Sequence, residues 1–298
     1  MPQLDVLVPH FNDPDGLAMS LTSIAAQEWT GDIRVIVCDD GSLKKSAERL
    51  PEILQRTGVD HLLLYNDRNQ GRPATRNRLL EASEAPFIAW LDSGDIWKPG
   101  KLQTQFDTLW RAYRAGDELD RIWVTCGYDW QWTGQQPRAV KQDTSNDQAR
   151  KLLIGSGLRA YLWTLLGTRQ SFKAVGEFDP RLTRLQDLDF FLRFVIKGGK
   201  LIAPESDQTY CIYNKSDIGK NAKEILGCMN LVYEKHHVLL SSYGRVFTRA
   251  RRYDALMHAA RFAHNNGDGI DKTVLLSRAF LQSPRRFVRH VISKGFTP

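Results

Sequence analysis

Two pairs of acidic residues are the side chains of this sequence best suited to chemistry. Asp39 and Asp40 are adjacent, and Asp92 and Asp95 lie three residues apart in the segment DSGD. Two carboxylates three residues apart beside a strand end, as Asp92 and Asp95 are, can coordinate a hard cation, which in turn neutralises a diphosphate. Asp, Gly and Ser are also the common residues of ordinary turns. Spacing alone therefore leaves both a turn and a binding site open for each pair.

The elements that carry these acids alternate between strand and helix. Short apolar runs at 5–9, 34–38, 61–65 and 87–91 predict strands, and helical patterns occupy 16–27, 44–56 and 72–85. Continuous apolar runs are typical of strands covered on both faces. We therefore predict an α/β fold with a Rossmann-like, mostly parallel sheet and helices on both faces. Ligands of such sheets bind beyond the carboxyl ends of the strands, where both acidic pairs fall.

The pattern changes along the 298-residue chain. Beyond residue 120, strands are predicted at 121–130, 161–166 and 201–203 and a helix at 187–197; from 219 onward the pattern is helical, over 221–240, 245–265, 271–282 and 285–293. We predict a main domain over 1–218, with halves of about 1–120 and 121–218, and a basic helical extension over 219–298. This length suits two domains or one with an extension.

Acidic and basic residues are unevenly distributed between residues 1–120 and 121–298. Residues 1–120 carry 13 basic and 19 acidic side chains, whereas residues 121–298 carry 28 and 15. An acidic first half is a poor match for nucleic acid, so no nucleic-acid partner is expected. No apolar run is long enough to span a membrane, the first residues lack a secretory pattern, and the four cysteines are far apart. We predict a reduced, cytoplasmic protein.

Signatures of several other classes are missing from the sequence. No GxGxxG follows the first predicted strand, and no GxSxG is present. The segment from Gly94 to Lys101 imitates a phosphate-binding loop, but five residues separate its glycines and Leu102 follows the lysine. Dinucleotide binding, nucleophilic hydrolysis and P-loop chemistry are therefore unsupported.

Five segments taken together resemble the inverting glycosyltransferases of family 2, which have the glycosyltransferase A fold. In chain order they are PHFN, CDDGS, NQGRPATRN, LDSGDIWKPGKL and VGEFDP…QDLDF, and the resemblance covers about residues 3–215. It implies transfer of a sugar, with inversion, from a nucleoside-diphosphate donor to an acceptor hydroxyl. We expect a UDP-sugar donor, a glycan or lipid-linked acceptor, and a role in bacterial surface polysaccharide or lipopolysaccharide assembly.

The resemblance also assigns residues to the donor nucleotide. They are Pro9, Phe11, Asn12, Asp39, Asp40, Arg76 and Asp92. In this assignment Asp40 accepts a hydrogen bond from the base, and Arg76 contacts the base or the phosphates. Asp92 touches ribose or metal. The structural alternative for Arg76 is an ordinary solvated arginine on a helix.

Catalysis and metal binding follow from the same resemblance. Asp187 matches the general base that deprotonates the acceptor hydroxyl, although a carboxylate also suits the first turn of a helix. A divalent cation, Mn²⁺ or Mg²⁺, would be held by Asp92 and Asp95. Gly94 stands where the family usually has its metal-binding acid, so metal binding is in question. The alternative function is a non-catalytic relative that binds nucleotide-sugar with a weakened metal site.

The basic C-terminal segment has a further pattern. In 284–296, helical spacing puts Phe287, Val288, Val291 and Ile292 on one side and Arg285, Arg286, Arg289 and Lys294 elsewhere, which fits a basic amphipathic helix. One interpretation is peripheral contact with the inner face of a membrane, where a lipid-linked acceptor would lie. The other is a helix that packs its apolar stripe on the protein and leaves its charges in solvent.

Overall fold

The structure, a computed structural model, describes residues 3–132, 136–215 and 221–294. The chain divides into two compact units, Met1–Pro180 with Gln186–Ser216 and Arg181–Leu185 with Asp217–Pro298. We call them the N-terminal and the C-terminal unit. The predicted boundary at residue 218 falls in the segment 216–220, outside the described residues.

Strands and helices alternate through the first hundred residues. The strands are β1 (Gln3–His10), β2 (Asp32–Asp39), β3 (Asp60–Tyr65), β4 (Phe87–Trp90), β5 (Ile96–Trp97), β6 (Ile122–Val124), β7 (Tyr128–Trp132), β8 (Arg138–Val140), β9 (Leu166–Thr168), β10 (Lys200–Ile202) and β11 (Cys211–Lys215). The helices are α1 (Pro14–Ala25), α2 (Lys44–Ala47), α3 (Leu50–Thr57), α4 (Arg72–Ala82), α5 (Lys101–Arg114), α6 (Gln148–Ile154), α7 (Arg169–Val175), α8 (Gln186–Ile196), α9 (Ala222–Lys235), α10 (His237–Ser242), α11 (Gly244–Asn265), α12 (Gly269–Gln282) and α13 (Pro284–Lys294). Short 3₁₀ helices lie at Leu119–Arg121 and Leu162–Thr164.

The main sheet has the order β10-β6-β9-β4-β1-β2-β3. β9 runs antiparallel to its neighbours β4 and β6, and the other pairs are parallel. The predicted mostly parallel sheet is therefore confirmed. A smaller sheet has the order β5-β11-β7-β8.

Apolar side chains cover both faces of the main sheet. Val6 and Val8 of β1 belong to a buried cluster with Leu17 and Leu21 of α1. Trp90 of β4 packs edge-on against Phe172 of α7 and against Phe178. The strands are thus buried on both sides, which explains why they read as unbroken apolar runs.

Two predicted elements are divided in the structure. The predicted strand 121–130 supplies β6 to the main sheet and β7 to the smaller one. At Gly127, between them, an added Cβ would lie 3.3 Å from the carbonyl oxygens of Val140 and Gln208, so this close approach favours glycine. The predicted helix 44–56 is α2 followed by α3, which begins with Pro51 in its first turn, where the missing N–H is tolerated.

The predicted strand 161–166 is wrong over most of its length. Residues 162–164 form a 3₁₀ helix, and the strand β9 begins only at Leu166. The apolar run is buried in either conformation, so hydrophobicity did not separate them.

Helices α9–α13 form the C-terminal unit, whose buried cluster includes Ile225, Leu256, Ala260 and Leu275. The predicted helix 221–240 is interrupted at His236, between α9 and α10. Over the described residues, we find no helix with the length and apolar character needed to cross a bilayer.

Candidate active site

The first three strands end side by side at one edge of the main sheet. His10, Asp39 and Tyr65, the last residues of β1, β2 and β3, occupy matching register positions. The loops that follow carry the predicted donor-binding residues. The parallel register therefore brings together side chains that are far apart in sequence.

Asp39 is buried and bonded within the protein. Its Oδ1 lies 2.8 Å from Nδ1 of His10, and its Oδ2 accepts from the backbone N of Ser42 at 3.1 Å. The backbone N of Asp13 donates to Nε2 of His10, so the ring proton is on Nδ1 and is donated to Asp39. This network fixes the turn after β2 against the end of β1.

Asp40 is likewise buried and hydrogen-bonded within the protein. Its Oδ1 accepts from the side-chain amide of Asn66 at 2.8 Å and from the backbone N of Gln70 at 2.9 Å. Its Oδ2 accepts from the backbone N of Gly71 at 2.9 Å. Asp40 therefore holds the loop that leads into α4. Its predicted hydrogen bond to a nucleobase stays a prediction.

The loop after β1 presents Phe11 and Asn12 to solvent. Asn12 has a φ of 54°, and its Oδ1 accepts from the backbone N of Leu43 at 2.8 Å. Phe11 is 47% exposed and Pro9 is partly exposed. An exposed aromatic ring beside two anchored loops is a suitable surface for a planar base. Contact of Pro9, Phe11 and Asn12 with nucleotide remains a prediction.

The turn after β4 is clamped from two sides. The hydroxyl of Ser20 in α1 donates to the carbonyl oxygen of Asp95 at 2.7 Å and accepts from the backbone N of Gly94 at 3.0 Å. The backbone N of Asn214 in β11 donates to Oδ1 of Asp95 at 3.2 Å. Gly94 has a φ of +94°, a conformation in which a residue with a side chain would be strained. The turn conformation thus matches the glycine found there.

Arg76 bonds both Asp92, which the resemblance assigns to the donor, and Asp187, which it assigns to the acceptor hydroxyl. Its side chain is 1% exposed; Nη2 donates to Oδ1 and Oδ2 of Asp92 at 3.0 and 3.1 Å, and Nη1 donates to Oδ1 of Asp187. Oδ2 of Asp187 accepts from the backbone N of Leu162 at 3.3 Å. The structure therefore brings Asp187 next to Asp92 through one buried guanidinium.

Burial and charge both act on this group. Burial raises the pKa of Asp187; Arg76 opposes the rise, and Asp92 adds to it. Burial disfavours the charged form of Arg76, but Asp187 and Asp92 more than compensate, so the pKa of Arg76 is raised. Burial, followed by the charge of Asp92, raises the pKa of Asp95 well above its ordinary value. A carboxylate with a raised pKa is a stronger base, which suits Asp187 for proton abstraction.

Aromatic side chains lie near the same acids, and two of them, Tyr161 and Tyr213, were given no site role from the sequence. Tyr213 stacks on Trp163 at 5.4 Å between ring centroids, and Tyr161 stacks on Trp163 at 5.0 Å. Burial raises the pKa of Tyr161, and Asp187 contributes to the rise. Tyr213 lies on β11 of the smaller sheet, a strand that periodicity did not predict.

The sequence matches the family model described as glycosyl transferase family 2 over residues 5–159, more than half of the chain. The chain therefore belongs to glycosyl transferase family 2, which makes it a glycosyltransferase. The resemblance inferred from the five segments is confirmed.

Individual relatives agree with that class. The uncharacterized glycosyltransferase YibD of Escherichia coli is 27% identical over 249 residues, covering 80% of this chain and 69% of YibD. UDP-Glc:alpha-D-GlcNAc-diphosphoundecaprenol beta-1,3-glucosyltransferase WfgD of E. coli is 28% identical over 106 residues, covering 36% of this chain and 40% of WfgD.

The crystal structure of S. aureus TarS 1–349 in complex with UDP-GlcNAc is similar in fold. Its TM-score is 0.65 at 16% identity, covering 99% of this chain and 88% of that chain. This likeness, together with the family, confirms the glycosyltransferase A fold.

Family 2 generally uses a divalent cation, and the predicted ligands here were Asp92 and Asp95. The side chains do not fit that role. Both oxygens of Asp92 are bonded to Arg76, and Asp95 is 3% exposed with its Oδ1 on the backbone of Asn214. Within 3–132, 136–215 and 221–294, no group of three His, Cys, Asp or Glu residues is arranged to hold a metal. We therefore derive no step through a cation.

Proposed function

We propose that this protein is an inverting glycosyltransferase that moves a sugar from a UDP-sugar to a hydroxyl of a glycan or lipid-linked acceptor. The role we propose is in bacterial surface polysaccharide or lipopolysaccharide assembly. The observation that carries the proposal is the bridge from Asp92 through Arg76 to Asp187. It places a carboxylate suited to act as a base beside the turn where the donor is expected.

The chemistry is a single displacement. Asp187 takes the proton of the acceptor hydroxyl as its oxygen attacks the anomeric carbon. The bond between that carbon and the diphosphate oxygen breaks, its electron pair leaves with the diphosphate, and the configuration inverts. Asp187 is suited to this task because its pKa is raised while one oxygen remains bonded to a permanent cation.

The donor and acceptor classes are supported by relatives. TarS was crystallised with UDP-GlcNAc, and the name of WfgD describes a UDP-sugar donor and a lipid-diphosphate acceptor. We propose that Pro9, Phe11, Asn12 and Asp92 line the nucleotide site of this protein. Asp39, Asp40 and Arg76 belong to the same site, and their present bonds define its shape.

Replacement of the base tests the mechanism. We expect Asp187→Asn to reduce the rate of transfer by about 10²–10⁴-fold while UDP binding is retained. Release of UDP from a pool of UDP-sugars with mixed glycan and lipid-linked acceptors measures the rate, and calorimetry measures binding. Asp107→Asn, an exposed acid on α5, is the matched control. Wild-type rates in the Asp187→Asn variant would show that another group is the base.

A nucleotide-sugar-binding protein without transferase activity is the alternative, and Gly94 favours it because it replaces the acid usual in the family. Nucleoside diphosphate release with and without Mn²⁺, over broad donor and acceptor pools, separates the two. Binding of UDP without any turnover of the wild-type protein would favour the alternative.

We also propose peripheral membrane contact through α13. Arg285, Val288, Arg289 and Ile292 follow helical spacing along one face, and Val288 and Ile292 are 49% and 82% exposed. Phe287 instead packs against Phe280 of α12 with ring centroids 5.7 Å apart. Phe287 therefore packs within the protein, and the face with Val288 and Ile292 is the one that we propose for membrane contact. The exposed face combines apolar and basic residues, as in helices that lie on anionic membranes.

Sedimentation with vesicles tests this contact. We expect the protein to sediment with vesicles containing anionic lipid at physiological salt, and Ile292→Glu to weaken this about tenfold or more. Val246→Glu is the matched control, because Val246 is 85% exposed on α11. Equal sedimentation of the two variants, or none for the wild type, would remove membrane contact from the proposal.

A further inference from the structure

Arg72 is an exposed cation at the first position of α4, four residues before the buried Arg76. Residues at that spacing lie on the same face of a helix. Within the described part of the chain, no carboxylate lies within ion-pair distance of Arg72. Its guanidinium is therefore available to a ligand.

The charge of Arg72 acts on the acids of the candidate site. Burial raises the pKa of Asp95 and of Asp187, and Arg72 is among the charges that oppose the rise in each. Burial, followed by the nearby Tyr161, Asp95 and Asp92, also raises the pKa of Tyr213, and Arg72 again opposes the rise. Three side chains from three different segments thus sense the same exposed charge.

The carboxylates of the turn after β4 are already bonded within the protein. Asp92 is bonded through both oxygens to Arg76, and Asp95 is buried against β11. A cation at this turn would lie next to the guanidinium of Arg76, which carries the same sign of charge. The conformation of Gly94 disfavours an additional acid at that position.

Arg76 therefore supplies the positive charge that a metal ion would otherwise bring to these acids, since it neutralises Asp92 and Asp187 from within the protein. A bound diphosphate adds negative charge that Arg76, being 1% exposed, does not reach directly. Arg72 lies at the positive end of the α4 dipole, which also favours an anion.

From this geometry we propose that the protein binds the diphosphate of its donor without a divalent cation, and that Arg72 supplies the positive charge that the diphosphate requires. The inference rests on the proposed function. When the bond from the anomeric carbon to the diphosphate oxygen breaks, the electron pair moves to that oxygen, and the guanidinium of Arg72 stabilises the added charge.

Calorimetric titration of the full chain with UDP tests the inference, with GDP, CDP, ADP and dTDP as separate titrants. Each titration is made in EDTA, in MgCl₂ and in MnCl₂. We expect the Kd of the preferred nucleotide to agree within about threefold among the three conditions. Arg72→Met should weaken binding by about tenfold or more, since charge-assisted hydrogen bonds to phosphate are lost.

Two further variants separate charge from structure. Arg72→Lys retains the charge and should bind more tightly than Arg72→Met. Arg114→Met, which removes an exposed arginine that bonds the carbonyl oxygen of Trp110 on α5, should bind as the wild type does. Circular dichroism checks that each variant is folded.

The outcomes are distinct. Nucleotide binding that requires Mg²⁺ or Mn²⁺, or equal affinities of Arg72→Met and Arg114→Met, would overturn this inference and leave the proposed function standing. Failure of every nucleotide to bind under all three conditions would overturn the proposed function, and this inference with it.

Discussion

The two acidic turns of the main sheet hold their carboxylates in place by different interactions. After β2, the carboxylates of Asp39 and Asp40 accept hydrogen bonds from imidazole, hydroxyl and amide groups. After β4, Asp92 is paired with a buried guanidinium that it shares with Asp187. Neutral donors hold the first turn, whereas a permanent charge holds the second.

The difference indicates which of the two turns is more sensitive to the charge of a bound ligand. Hydrogen bonds from neutral backbone groups fix loops locally and over short range. A buried ion pair acts over a longer distance in a medium of low dielectric constant. We therefore assign the first turn to the shape of the nucleotide site and the second to the charge of the reaction centre.

The largest effect is expected from removal of the shared cation. Arg76→Met leaves Asp92 and Asp187 unpaired, and breaking a buried ion pair costs about 3–5 kcal/mol. We expect a loss near 3 kcal/mol, because both carboxylates keep partial contact with solvent. Urea unfolding measures the loss, and transfer activity should fall with it. Arg78→Met on the same helix, where the arginine bonds neutral oxygens, should lose about 1 kcal/mol. Equal losses would erase the contrast between the turns.

A smaller effect is expected at the turn held by neutral donors. Asp40→Ala removes the acceptor of Asn66, Gln70 and Gly71, and unsatisfied buried donors cost about 1–3 kcal/mol. We expect about 2 kcal/mol in urea unfolding, together with weaker UDP binding because the loop before α4 loosens. The exposed Asp60→Ala on β3 is the control. An Asp40→Ala variant with wild-type stability would show that solvent replaces these bonds.

The third effect depends on pH. The pKa of Asp95 is raised in the folded state, chiefly by burial, so folding favours its protonated form. Its contribution to stability is full below the ordinary pKa of an aspartate and is lost as pH rises through the raised value. Asp95→Asn, which mimics the protonated acid, should therefore match the wild type near pH 4 and be the more stable protein near pH 7. Each pH unit across that interval changes the difference by up to about 1.4 kcal/mol. A constant difference from pH 4 to pH 7 in thermal unfolding would contradict this.

Much of the N-terminal unit was predictable because its strands are continuous apolar runs. The prediction located β1 to β4 and the acidic turns at their carboxyl ends. Helices α5, α6 and α7 and the strands β5, β8 and β11 of the smaller sheet were missed. The strand β5 has two residues, and β8 has three, which is too short for a period to be seen.

The candidate site was predictable in its members but not in its bonds. Family motifs pointed to Arg76, Asp92 and Asp187, whereas the pairing of Arg76 with both acids depends on the tertiary structure, which brings α4 to the turn after β4 and to the first turn of α8. Arg72 lies inside the motif NQGRPATRN, and its place at the first helical position was the available signal. A single sequence does not show whether such an exposed arginine is near an acid.

The shared guanidinium also limits how the chain can be recombined with its relatives. Arg76 and Asp92 lie within the segment matched to the family, 5–159, and Asp187 lies beyond it. A chimera that took residues 5–159 from this protein and the rest from a relative without an acid at that position would leave Arg76 with one partner. A chimera should therefore take both segments from the same parent, so that Arg76 keeps both acids.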